Sequence, residues 1–134
     1  MNILRSETLP LQSSDDIVRA RQAVRVWAVE IGFRLVDQTK IVTAASELAR
    51  NVCDHGGGGI LRIEVVEDGE RKGLRLTFQD QGPGIPDIDL AMKDGYSTMG
   101  GLGLGLGGAK RLVNAFHIES AIGKGTTVSV IKWA

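Results

Sequence analysis

Glycine is distributed very unevenly along this chain. Of 18 glycines, only Gly32 lies before residue 56. A glycine inside a helix costs about 1 kcal/mol relative to alanine, so long helices belong to the first half. The chain beyond residue 56 is glycine-rich in clusters, which ordinary linker composition does not produce. The first half fits that division. Ser13, Ser14, Asp15 and Asp16 offer N-caps. Ile17, Ala20, Ala23, Val24, Trp27, Ala28 and Ile31 then recur at spacings of three and four. This predicts an amphipathic helix that ends at Gly32, a common C-cap residue. Asp37 is expected to open a second helix, with Ile41, Ala44, Ala45, Leu48 and Val52 as its buried stripe. Gly56 to Gly59 end it.

Beyond the glycine run the period changes from 3.6 to 2. Residues 60–66 and 74–78 alternate as strands, with a hairpin connection over 68–73. Residues 80–101 read as turns, with one short helical turn near Leu90-Ala91-Met92. A third helix is predicted over 104–116. Strands over 117–121 and 126–133 come next, joined by Gly123-Lys124-Gly125. At the N-terminus, residues 2–11 alternate loosely, and Pro10 makes them an edge strand rather than a central one. The order is β-α-α-β-β-loop-α-β-β. It predicts an α+β fold, a two-layer α/β sandwich with helices on one face of the sheet. A long irregular stretch inside so small a domain is a binding loop, a lid or disorder.

Composition removes several function classes. The 134 residues fit one domain with one core. Sixteen Lys+Arg balance 16 Asp+Glu, which argues against a protein whose business is nucleic acid phosphates. No apolar run approaches the ~20 residues that span a bilayer. The first ten residues carry both Arg5 and Glu7 and hold no apolar stretch of signal-peptide length. The sole cysteine, Cys53, excludes an internal disulfide and a multi-cysteine zinc site. No nucleic acid, no membrane and a soluble, cytoplasmic location are the expectations.

Three segments carry possible chemistry. On the second helix Glu47 and Asn51 are four apart and share a face. They are either a solvated helix face or a carboxylate and an amide oxygen able to position a hydroxyl and a Mg²⁺ ion, which prefers hard oxygen ligands. Asp80-Gln81-Gly82-Pro83-Gly84 comes directly after a strand. It is either a plain Asp-Gly turn or a site where a carboxylate accepts from an exocyclic amine and glycines admit a ligand to the backbone. The run from Gly100 to Gly108 leads into a helix, with Lys110 and Arg111 one turn in. Backbone N–H groups there suit an anion such as phosphate. Gly103, Gly105 and Gly108 match G-x-G-x-x-G by accident, since no strand precedes them as a dinucleotide site requires. No P-loop occurs, and the loops of eukaryotic-type protein kinases are absent.

In this order, E-x-x-x-N on a helix, D-x-G-x-G after a strand, a glycine-rich lid and a late Gly-Thr, the chain resembles the GHKL (Bergerat-fold) ATPases. The resemblance runs from about residue 14 to 133 and leaves no room for a sensor or partner domain. It implies a mixed sheet and a glycine-rich ATP lid. Asp80-Gln81-Gly82-Pro83-Gly84-Ile85-Pro86-Asp87-Ile88, the segment Asp94 to Thr98 and the terminal Ile131-Lys132-Trp133 are similar to the switch-kinase branch of bacterial stressosomes. That resemblance implies a serine/threonine-protein kinase using ATP and Mg²⁺. Its partners would be a STAS-domain scaffold or antagonist, as substrate and sequestering partner, and a PP2C-type phosphatase regulator. The related alternative is an ATP-binding anti-sigma factor that sequesters a sigma subunit. By the family pattern Glu47 is the general base and Asn51 the Mg²⁺ ligand. Asp80 accepts from adenine N6, Gly82 and Gly84 shape the pocket, Gly101, Gly103 and Gly105 cover the phosphates, and Thr126 supports the adenine edge.

Overall fold

The computed structural model describes residues 1–85, 88, 92 and 105–134. Its elements are β1 (Asn2–Leu11), α1 (Ser14–Glu30), α2 (Leu35–Asp54), β2 (Gly59–Asp68), β3 (Arg71–Asp80), α3 (Gly105–Arg111), β4 (Ala115–Ala121) and β5 (Gly125–Trp133). Local chemistry fixes most of the boundaries. Ser13 Oγ accepts from Asp16 N, and the Asp16 carboxylate reaches back to Gln12 N at 2.8 Å. This is a variant of the capping box in which the aspartate takes the N–H of the residue before the N-cap. At the other end of α1, Gly32 has φ +95°. Phe33 N donates to Ala28 O and Gly32 N to Val29 O, the paired bonds of a Schellman stop.

The strands form one sheet in the order β1-β2-β3-β5-β4. Its edges are β1, as Pro10 predicts, and β4. The implied mixed sheet is corrected: β1–β2, β2–β3, β3–β5 and β4–β5 are all antiparallel. Routing explains this. Two helices lie between β1 and β2 and return the chain to the end of the sheet it left, so β2 runs back along β1. The single helix α3 does make β4 run in the direction of β3, but β5 is inserted between them.

Alternation places Leu61, Ile63 and Val65 of β2, Leu74, Leu76 and Phe78 of β3, and Val128 and Val130 of β5 on one face. They form a single core with Val24 and Trp27 of α1 and Ile41, Leu48 and Val52 of α2. The predicted stripe of α2 is buried throughout. The opposite face carries charge instead. There Glu64 is held by Arg75 Nε at 2.8 Å.

Three expected boundaries move. Helix α2 starts at Leu35, leaving Asp37 in its first turn. The β2–β3 strands run to Asp68 and Arg71, so the connection shrinks to Gly69 and Glu70. The third helix is shorter than 104–116, because residues 115 and 116 join β4 and pair with Ile131 and Val130. Asn114 ends it by donating N–H to Ile131 O and accepting Trp133 N–H on Oδ1, each at 2.9 Å. Apolar residues at 112, 113 and 116 suit either a helix or a strand, and the neighbouring β5 decides. Leu90 and Ala91 lie outside the described residues, although Met92 N does donate to Ile88 O at 2.9 Å. Among the described residues, no helix is long and apolar enough to cross a membrane.

Candidate functional site

Three adjacent strands present polar side chains in a row at one end of the helix-covered face: Asp80 on β3, Thr126 on β5 and Ser120 on β4. Asp80 is buried to 8% exposure. Its Oδ1 accepts the N–H of Gly82 at 2.9 Å and of Thr126 at 3.2 Å. Both of these donors reach the same oxygen, which fixes the carboxylate plane and leaves Oδ2 as an acceptor for something else. Ser120 Oγ accepts Ile85 N–H at 2.7 Å, lies 2.7 Å from Thr126 Oγ1 and donates to Gly125 O at 3.2 Å. The Asp80-to-Ile85 turn is therefore tied to the β4–β5 hairpin. A further bond, Gly123 N to Pro83 O at 2.8 Å, completes the tie.

The C-terminus of α2 closes against this row, and glycine makes the approach possible. A Cβ on Gly56 would stand 2.4 Å from Asp80 Cγ, and one on Gly82 would stand 2.7 Å from the Gly56 backbone. Gly84 (φ +80°) and Gly125 (φ +83°) adopt left-handed conformations against the Ala121 and Asp80 carbonyls. The glycine run after α2 does more than end a helix. Gly56 N and Gly58 N donate to Asn51 O and Val52 O, so the loop folds back on the last turn.

That last turn carries Asn51, and Glu47 precedes it on the same face by about 6 Å of helix rise. Both side chains are half-buried. Arg50 Nη1 lies 3.1 Å from Glu47 Oε1 and holds the carboxylate along the helix. Among the described residues no three His, Cys, Asp or Glu side chains group as a metal cage. A lone amide oxygen beside a carboxylate is a donor set that suits Mg²⁺, which takes few protein ligands and fills the rest with phosphate oxygens and water. Cys53 lies in the same last turn of α2. Burial first, then the Asp54 and Asp16 carboxylates, push its thiol above the usual cysteine value, so it stays protonated at neutral pH.

The structure thus brings together Asp80, Gly82, Gly84 and Thr126, with Asn51 and Glu47 on the adjoining helix. Gly105 is the first residue of α3. Gly101, Gly103 and the segment 94–98 lie outside the described residues. Lys110 and Arg111 stand in the last turn of α3 and, with Met92 and Gly107, line a depression of about 410 Å³. Sequence reasoning missed Gly56 and Ser120. Hairpin register was the signal for the second, since a three-residue turn after Ala121 sets Ser120 opposite Thr126.

Residues 36–133 match the family described as histidine kinase-, DNA gyrase B- and HSP90-like ATPases. The chain belongs to that family. It is 54% identical over 118 residues to the serine/threonine-protein kinase RsbT of Bacillus subtilis (strain 168), covering 88% of this chain and 89% of that one. It is 33% identical over 121 residues to the anti-sigma F factor of Geobacillus kaustophilus (strain HTA426), covering 84% and 81%. A crystal structure of the RsbU and RsbW domains of a Mycobacterium tuberculosis protein shares the fold, with a TM-score of 0.63 at 24% identity. That match covers 96% of this chain and 32% of the larger one.

Proposed function

We propose that this GHKL protein is a serine/threonine-protein kinase of a bacterial partner-switching pathway. The observation that carries the reading is the coupling of the two halves of the site. Asn51 O accepts the N–H of Gly56, and Gly56 packs on the Asp80 carboxylate. The helix bearing a base and the pocket for a base-pairing edge are thereby one rigid unit. Its 54% identity to a named kinase supports the same reading over the anti-sigma one, for which the relative is 33% identical.

In this reading Asp80 Oδ2 accepts from adenine N6, and Gly82, Gly84 and Thr126 line the purine edge. Gly101, Gly103 and Gly105 take the phosphates. Asn51 holds Mg²⁺, which when bound neutralises phosphate charge. Glu47 accepts the proton of a partner's serine or threonine hydroxyl. The hydroxyl oxygen bonds to the γ-phosphorus, the bridge to the β-phosphate breaks and ADP leaves. Such a transfer needs positioning and charge neutralisation more than covalent chemistry. The substrate is a STAS-domain protein that sequesters the kinase until it is phosphorylated. The released kinase then activates a PP2C-type phosphatase regulator, all in the cytoplasm.

Labelled ATP, Mg²⁺ and a STAS-domain partner test this. Label should appear on serine or threonine of the partner. Glu47→Ala should lower transfer by at least about 100-fold with ATP binding nearly unchanged. Asn51→Ala should weaken Mg-ATP binding itself. A partner that binds yet is never labelled would overturn the kinase reading.

A further inference from the structure

Hydroxyl groups are small rotors, and the one on Thr126 has its direction set by a residue that the adenine assignment does not include. Ser120 Oγ has one proton and three polar neighbours. Ile85 N–H can only donate to it, and Gly125 O can only accept from it. If Ser120 gives its proton to Gly125 O, Thr126 must donate to Ser120 Oγ, and all three contacts become hydrogen bonds. If Ser120 donates to Thr126 instead, the Gly125 contact is lost. The first arrangement satisfies more groups in a half-buried site and is the stable one.

Its consequence reaches the pocket. With its proton committed to Ser120, Thr126 Oγ1 presents only lone pairs. Asp80 adds a second acceptor, Oδ2, because Oδ1 is occupied by the N–H groups of Gly82 and Thr126. The polar groups at this end of the sheet therefore ask for donors that touch them directly. The exocyclic amine of adenine supplies them; the O6 carbonyl of guanine would meet lone pairs with lone pairs. We infer that Ser120 is a specificity-positioning residue, which fixes the hydrogen-bond polarity of Thr126 and so makes the pocket select adenine over guanine nucleotides.

The inference rests on the reading of Asp80 as the adenine acceptor, and the test separates the two. Equilibrium binding of ADP and GDP to the full chain gives an affinity ratio, which a uniform loss of folded protein does not move. Wild type should prefer ADP. Ser120→Ala frees the Thr126 hydroxyl to donate to O6 and should narrow the preference about 5- to 10-fold, as one redirected hydrogen bond would. Ser120→Thr restores the hydroxyl and should keep the ratio within about 2-fold of wild type. Asp80→Asn can offer an amide donor to O6 and should collapse the preference. If Ser120→Ala keeps the wild-type ratio while Asp80→Asn loses it, the role of Ser120 is overturned and the pocket stands. An Asp80→Asn variant that keeps the ratio overturns both.

Discussion

At the scale of single residues, two glycines, Gly56 and Gly125, have their space set by Asp80. Gly56 has no room for a methyl group unless the Asp80 carboxylate swings away. Gly56→Ala is therefore expected to loosen the bonds to Gly82 and Thr126 and to weaken ADP binding about 10-fold, measured by titration calorimetry. Gly125 has a different constraint. It combines φ +83° with a Cβ position 2.2 Å from Asp80 O. Gly125→Ala should cost about 1–3 kcal/mol of stability from backbone strain alone, read by urea unfolding. The two substitutions separate a glycine needed for ligand geometry from one needed for the turn itself.

At the scale of elements, one ion pair anchors the start of α2 to the last strand. Lys132 sits on the helix-covered face of β5, where Val128 and Val130 are buried, and its Nζ lies 3.5 Å from Asp37 Oδ1. Burial works against ionising Asp37, but Lys132 and Arg34 outweigh it and hold the carboxyl below its usual range. Asp16, in the α1 capping box, is lowered chiefly by the hydrogen bond from Arg19 and then by that from Gln12. A carboxyl depressed in the folded state stabilises fully above its unfolded value of about 3.9. As pH falls below that, the unfolded chain binds the proton first, and the contribution is lost as pH passes through the folded value. Asp37→Asn should therefore lower Tm at pH 7, and the gap from wild type should narrow as the pH falls below about 3.9. A gap that stayed constant across that range would remove the ion pair as its cause.

At the scale of the whole molecule, α2 is both the central packing element and the carrier of Glu47 and Asn51. Leu48, beside Glu47 in sequence, is 1% exposed in the core shared with Leu76 and Phe78. Leu48→Ala should cost about 2–5 kcal/mol through lost burial and the cavity left behind. The urea midpoint should fall with the slope unchanged, since the surface exposed on unfolding barely differs. A changed slope would mean that the sheet and the helix layer no longer unfold together. The stability of the site and of the core are coupled because one helix serves both.

Much of this was legible in the residues. Helical periodicity, the Gly32 stop, the edge character that Pro10 gives β1 and the alternation of β2, β3 and β5 come from local rules of spacing and sterics. So does the sharing of a face by Glu47 and Asn51, since four residues make about one helical turn. What the chain order did not contain was contact between distant segments. Helix and strand compete over residues 112–116, and pairing with β5 settles the contest. Lys132 looks misplaced in an apolar alternation until Asp37, 95 positions earlier by number, arrives beside it. The glycines after α2 read as a helix stop, yet the reason Gly56 must be glycine is Asp80. Likewise Ser120 gains a role only when the sheet sets β4, β5 and β3 side by side, since a hydroxyl's direction depends on every partner within reach. Spacing along the chain specifies elements. Which donors and acceptors meet is fixed only when those elements pack.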